Sequence, residues 1–377
     1  MTDREQMLLA VGCYSPDDAA GDAPPALSTW WWDGTGPAIR PAGSASVTSA
    51  SFVCWHPTLP VLYAVSEVDE GSLDAFRVAE DGSLEPAGRL PTGGSHPCWV
   101  TTDPSASMLL IANYASGSLA VLALDRAGLP VGPPTVVQHH GSGPRSDRQE
   151  GPHVHQAVPT ADGHVLVTDL GTDTVTVYRI DAGDGPAASP SVRPVQTVAM
   201  PPGSGPRHIT LAAGGSVGYV SGELDGTVTV IRRDAGGWAA GEQLPCSEIG
   251  GSQPSHLQLV DGDRWLLVAN RGPDTLAVLD VAAGLTIRQE VSTGRWPRHF
   301  VPAGDRVLLA CQQGNAVDLL ALDAAAGSLT PLGSVTTPAG SGPAAEPSTR
   351  PGSATAPPGS PFVTPACLAI RPDLRGR

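Results

Sequence analysis

The chain has 377 residues, 41% of them apolar and 16% charged, with 45 Gly, 38 Pro and a formal net charge of -15. All 22 basic residues are arginine, which excludes a lysine Schiff base or a phosphate-binding P-loop lysine. The acidic balance argues against nucleic acid as a partner, and the apolar content is too high for wholesale disorder.

Leu8 to Tyr14 reads as an apolar strand, followed by an Asp/Ala/Pro loop and two further strands, Leu27 to Asp33 and Ala38 to Pro41. That is one strand short of a four-stranded unit. A full unit begins at Ala50, with strands near Ser51, Val61, Ser72 and Ser83, and further units open at Pro97, Pro152, Pro206, Pro254 and Pro297. Units of four short strands that recur every 43 to 55 residues match the blades of a β-propeller. Near the end, Pro365 to Pro372 repeats an opening strand after a Pro/Gly/Ser/Ala-rich stretch at 338–361, which has the composition of a flexible insertion. The C-terminal strand then supplies the missing innermost strand of the first unit. The expectation is an all-β, seven-bladed propeller with four-stranded blades, one domain over 1–377, whose first blade is closed by the C-terminal strand.

Cys13, Cys54, Cys98, Cys246, Cys311 and Cys367 are scattered, with no CxxC pair, and read as reduced core thiols. Met1 to Met7 carries no apolar signal-like core, and no apolar run is long enough to cross a membrane, so a cytoplasmic protein without membrane attachment is expected.

Aligned on their opening residues, the units place Ser51, Cys98, His153, Arg207, Ser255, Arg298 and Ala366 one position in. Three positions in, they place an apolar set interrupted by His155. Glu67, Asn113, Asp169, Glu223, Asn270 and Gln312 fall together at the ends of the second strands. First and second strands are antiparallel neighbours, so both polar sets are expected around one mouth of the central channel. Strand alternation places His153 and His155 on one face of an innermost strand, whereas His208, His256 and His299 share a position read as structural. His139, His140 and His164 read as loop or surface residues. The loop Gln138 to Glu150 brings Arg145, Arg148 and Gln149 to the same rim. No His/Cys/Asp cluster has metal-ligand spacing, so neither a metal nor another cofactor is expected.

The segments GPHVHQAVPTADGHVLVTDLGTDTVTVYRID, GSGPRHITL, SGELDGTV and VANRGPDTLAV resemble the seven-bladed propeller lactonase family, which includes bacterial 6-phosphogluconolactonase and the fungal carboxymuconate-lactonizing enzyme. The likeness runs from about Thr48 to Asp323. It implies catalytic roles for His153 or His155, Arg207, Glu223 and Arg271. The family's GSGP…RQE loop matches Gly141 to Glu150. With it, Arg148, Gln149, Asp169, Asn113, Arg298 and Glu67 are the expected substrate-binding residues. The expected activity is metal-independent hydrolysis of a sugar lactone or other anionic lactone, 6-phosphogluconolactone foremost. The alternatives are a carboxymuconate-type lactonizing cycloisomerase, which uses the same arginines but needs a proton donor, and a non-catalytic propeller that binds a protein on its face.

Overall fold

The computed structural model describes residues 6–15, 25–182, 190–335 and 364–371; the stretch 338–361 lies outside them. The described strands form seven four-stranded antiparallel sheets. Blade 1 runs outward from Pro365–Ile370 through Met7–Cys13 and Leu27–Trp32 to Ile39–Ala45. The innermost strands of blades 2 to 7 are Ala50–Trp55, Pro97–Thr102, Val154–Pro159, Pro206–Leu211, Gln253–Val260 and Pro297–Ala303. No helix among the described residues is long and apolar enough to cross a membrane.

Sequence composition follows radial position. The second strands, such as Val61–Ser66 and Met108–Asn113, are buried along their whole length because both faces lie against neighbouring blades. Outermost strands such as Ser191–Ala199 face water and carry few buried residues. The apolar core is therefore a set of clusters sandwiched between adjacent blades, the largest spanning blades 1, 2, 3 and 7. The ring closes where Leu9 pairs with Ile370 and Val11 with Leu368. Tyr14 N then donates to Thr364 O, and Trp55 Nε1 of blade 2 donates to Ala369 O. All six cysteines are free thiols, and five of them are buried.

Two local devices recur at the inner ends of the blades. A left-handed residue leads into five innermost strands: Ser49, His96, Gly205, Trp296 and Thr364, with φ between 45° and 61°. A β-bulge follows, so that Pro206 pairs with Gly222 but Ile209 with Val220, and Pro254 pairs with Asn270 but Leu257 with Val268. The same shift occurs in blade 4, where Val154 pairs with Asp169 and Gln156 with Thr168.

That register corrects the sequence alignment of blade 4 by two residues. The innermost strand starts at Val154, not Pro152, so His155, not His153, stands level with Arg207 and Arg298. Ala157 then falls level with Val53, Val100, Ile209, Leu257, Phe300 and Leu368, and the apolar layer has no exception. Pro152 belongs to the entering loop.

Removing residues 364–377 should abolish the cooperative thermal transition, because it strips the first blade of its inner edge and bares the largest core cluster. A truncated protein that melts at the full-length temperature would show that closure by this strand is dispensable.

Candidate active site

Three layers of side chains stack around the channel at the inner ends of the blades. The first comes from the ends of the second strands, Arg271 as the last strand residue of blade 6 and Tyr14, Glu67, Tyr114, Leu170, Glu223 and Gln312 one residue past theirs. The second, one residue into the innermost strands, is Ser51, Cys98, His155, Arg207, Ser255, Arg298 and Ala366. The third, one residue further, is Phe52, Trp99, Gln156, His208, His256, His299 and Cys367.

Glu223 is the hub of the first two layers. The residue is 4% exposed, and its carboxylate meets three guanidinium groups: Arg148 Nη2 at 2.7 Å, Arg207 Nε at 2.8 Å and Arg271 Nη2 at 2.7 Å. Burial alone would raise the Glu223 carboxyl, but the Arg271 and Arg207 charges outweigh it and hold the group well below the usual carboxylate range. Burial and the neighbouring Arg271 push Arg207 down to about 9, which leaves it protonated at neutral pH. The contacts differ in quality. Arg148 makes a true hydrogen bond to Oε1, whereas Arg207 Nε and Arg271 Nη2 lie close to Oε2 without hydrogen-bond geometry and find no acceptor elsewhere. Each arginine is anchored by another nitrogen: Arg207 Nη1 donates across the blade boundary to Ser255 O, and Arg271 Nε donates to Gln253 O at 3.0 Å.

Around the ring, Tyr14 Oη donates to Glu67 Oε2 at 2.7 Å and accepts from Arg298 Nη2 at 2.5 Å. Arg298 Nη1 is 3.4 Å from Gln312 Oε1. Sequence reasoning singled out Arg298 and Glu67 but missed Tyr14 and Tyr114. Their signal is positional: each follows the last residue of a second strand, as Glu223 does.

The two histidines of the HxH run part company. His155 is buried, its Nδ1 3.7 Å from Cys98 Sγ and its ring between those of Tyr114 and His208. Burial, together with the Arg207 charge, holds its imidazole neutral, well below its ordinary value. His153 precedes the strand and stacks on Tyr114 with ring centroids 4.5 Å apart. Its Nδ1 lies 3.2 Å from the Tyr114 carbonyl and its Nε2 3.3 Å from Glu150.

Four expected rim residues sit elsewhere. Asn113, Asp169 and Asn270 are fully buried, because they stand one residue out of register with Glu67 and alternation turns them between blades. Asp169 accepts from His153 N, Gly171 N and His139 Nδ1, and His139 Nε2 accepts in turn from Tyr178 Oη at 2.8 Å. His139, read from sequence as a surface residue, is thus a buried tie between blades 3 and 4. Gln149 is also buried; it donates to Leu170 O and Asp173 Oδ1 and accepts from Arg145 N. It locks the loop that presents Arg148. Among the described residues, no group of three or more His, Cys, Asp or Glu is placed to hold a metal ion.

The third layer closes the mouth from below. His208 and His256 share a hydrogen bond between their Nδ1 atoms at 2.9 Å, and the His256 and His299 rings lie 4.3 Å apart. The same layer lines an open cavity of about 410 Å³, with Trp99, Gln156, His256, His299 and Phe300 in its wall.

The sequence profile described as "Lactonase, 7-bladed beta-propeller" matches residues 9–342, and the chain belongs to that family. Among its relatives, the 6-phosphogluconolactonase of Bacillus subtilis is 29% identical over 310 residues, 78% of this chain and 86% of that protein. The 6-phosphogluconolactonase of Sodalis glossinidius is 30% identical over 290 residues, 74% of this chain and 82% of that one. The periplasmic gluconolactonase of Pseudomonas aeruginosa superposes with a TM-score of 0.79 at 25% identity, covering 97% of this chain and 99% of that one.

The buried imidazoles tie stability to pH. His155, His208 and His299 are held well below 6.5 and His256 is lowered to about 3, in each case first by burial. In the unfolded chain these rings take up protons below about pH 6.5, while the folded layer refuses them. Stability is therefore full above that pH and falls on acidification, by up to about 1.4 kcal/mol per pH unit for each ring. Thermal melting from pH 7.5 to 5 should show this fall, and His256→Leu should make it shallower; a melting temperature that is flat or rises would contradict it.

Proposed function

We propose that the protein hydrolyses a small anionic sugar lactone, 6-phosphogluconolactone by preference. The observation that carries this reading is the pair of buried arginine N–H groups, Arg207 Nε and Arg271 Nη2, that share the single oxygen Glu223 Oε2 in ion pairs without hydrogen-bond geometry, in a mouth where three guanidinium groups outnumber the one carboxylate they surround. Buried donors of this kind are stabilised by an incoming oxygen anion. The family and the relatives named above support a lactone as its source.

In the reaction, His155 takes a proton from water as the water oxygen attacks the lactone carbonyl carbon. Arg207 and Arg271 receive the oxyanion that forms. The C–O bond of the ring then breaks, and the imidazolium returns its proton to the departing ring oxygen. The product carboxylic acid loses its proton, and its carboxylate leaves the arginines. Arg148, whose side chain is 37% exposed at the rim, takes the phosphate. Glu223 holds the arginines in place and keeps them charged. An anionic substrate offsets the arginine field at His155 and raises its basicity when the base is needed. The chemistry requires no cofactor.

Each arginine contact to an anion is worth about 1.5–3 kcal/mol, so Arg148→Ala and Arg271→Ala should each lower kcat/KM by about 10- to 150-fold. Arg148→Ala should leave the melting temperature nearly unchanged, since an exposed partner adds little stability. Steady-state kinetics on fresh 6-phosphogluconolactone, corrected for spontaneous opening, together with thermal melting, provide the test. Full activity in both variants would remove the anion site from the mechanism.

His155→Gln should lower kcat by about 100- to 10,000-fold. Because the free enzyme holds His155 neutral well below 6.5, the acidic fall of wild-type kcat/KM should begin below that pH. An acidic limb centred above pH 6.5, unaltered in the His155→Gln variant, would assign the base to another group.

A further inference from the structure

The mouth has two unlike poles. Blades 5 and 6 and the loop before blade 4 contribute Arg207, Glu223, Arg271 and Arg148, where cations exceed anions. Blades 1, 2 and 7, on the other side of the ring, contribute Tyr14, Glu67, Arg298 and Gln312. There one guanidinium stands against one carboxylate, 3.9 Å apart, and both side chains are 17% exposed. Tyr14 Oη bridges them, and Arg298 also lies 5.1 Å above the Tyr14 ring. Burial holds the Tyr14 phenol well above its ordinary value, and the Tyr14 and Glu67 partners keep Arg298 protonated. The pole therefore keeps a fixed set of hydrogen-bond donors and acceptors around neutral pH, with no net charge.

A neutral pole gives an anion no reason to bind there. It does match a ring that carries several hydroxyl groups, each of which donates and accepts one bond. We infer that Tyr14, Glu67, Arg298 and Gln312 bind the hydroxyl groups of the lactone ring, and that Tyr14 sets a preference for polyhydroxylated over unsubstituted lactones. The inference rests on the hydrolase reading above. Its logic is that of any partly buried site built from hydrogen-bonding groups: an analogue without hydroxyls leaves those groups unpaired and is rejected. Binding of the hydroxyls here also turns the carbonyl toward Arg207 and Arg271, as an orienting contact should.

The experiment measures kcat/KM of the full-length protein for 6-phosphogluconolactone and for δ-valerolactone, a six-membered lactone without hydroxyls. Tyr14→Phe should lower the ratio of the two by about 10- to 100-fold, mainly through KM for the sugar lactone. Glu67→Gln keeps an acceptor oxygen and the side-chain shape; it should shift the ratio in the same direction by less, and it serves where Tyr14→Phe fails to fold. A purely structural role for Tyr14 would lower both substrates together. A ratio within about twofold of wild type in both variants, with wild type active, overturns this inference and leaves the hydrolase reading standing. Wild-type protein that opens neither lactone faster than buffer overturns both.

Discussion

Three guanidinium groups around one buried carboxylate set the terms for the rest of the mouth. Without Glu223, Arg207 and Arg271 would face each other across a site from which water is largely excluded, and their mutual repulsion would drive them apart. With it, they stay charged and close, and part of their hydrogen-bonding capacity is left unspent. The pair contacts at 2.7 and 2.8 Å are electrostatic rather than well-aimed hydrogen bonds. Such a cluster is a weak source of fold stability, since burying four charges is costly. Its presence in an acidic chain fits the hydrolase proposed above as preorganisation: the cost is met when the protein folds, not when charge develops on a substrate.

The backbone makes the cluster possible. A bulge at the start of an innermost strand inserts a residue without a ladder partner, so two consecutive side chains, such as Arg207 and His208, serve two successive layers. The arginine enters the polar mouth, and the histidine enters the neutral floor beneath it. An unbroken strand would send one of the two into the blade interface. Ties between blades then hold the layers in register, as where Thr168 Oγ1 donates to Arg207 O and Ser255 Oγ to Pro297 O.

Most of the fold was legible in the sequence. The recurrent openings near Pro97, Pro206, Pro254 and Pro297, and the echo of them at Pro365, carry the blade count and the closure. Arg207, Glu223 and Arg271, singled out by motif, are drawn together in the structure. What the sequence did not carry is register at the level of one or two residues. The proline at position 152 imitates a blade opening although it lies in a loop, which displaced His155 from its true level. A one-residue offset separates Glu67 and Glu223, which face the mouth, from Asn113 and Asp169, which tie blades together; alternation makes that offset decisive. Tyr14 stayed hidden because its place is defined only by pairing with a strand some 350 residues away.

Closure of the ring by the last strand bears on when this protein becomes active during its synthesis. Tyr14 is made well before Arg298, and its hydroxyl meets that residue across 284 positions of chain. The strand Pro365–Ile370, which fixes Met7–Cys13 in place, is made after the strands of blades 2 to 7. Contacts of such long sequence separation form late and slowly. A growing chain can therefore build blades 2 to 7 one after another on the ribosome while its mouth still lacks one wall. The wall is completed when Pro365–Ile370 emerges and pairs with Met7–Cys13.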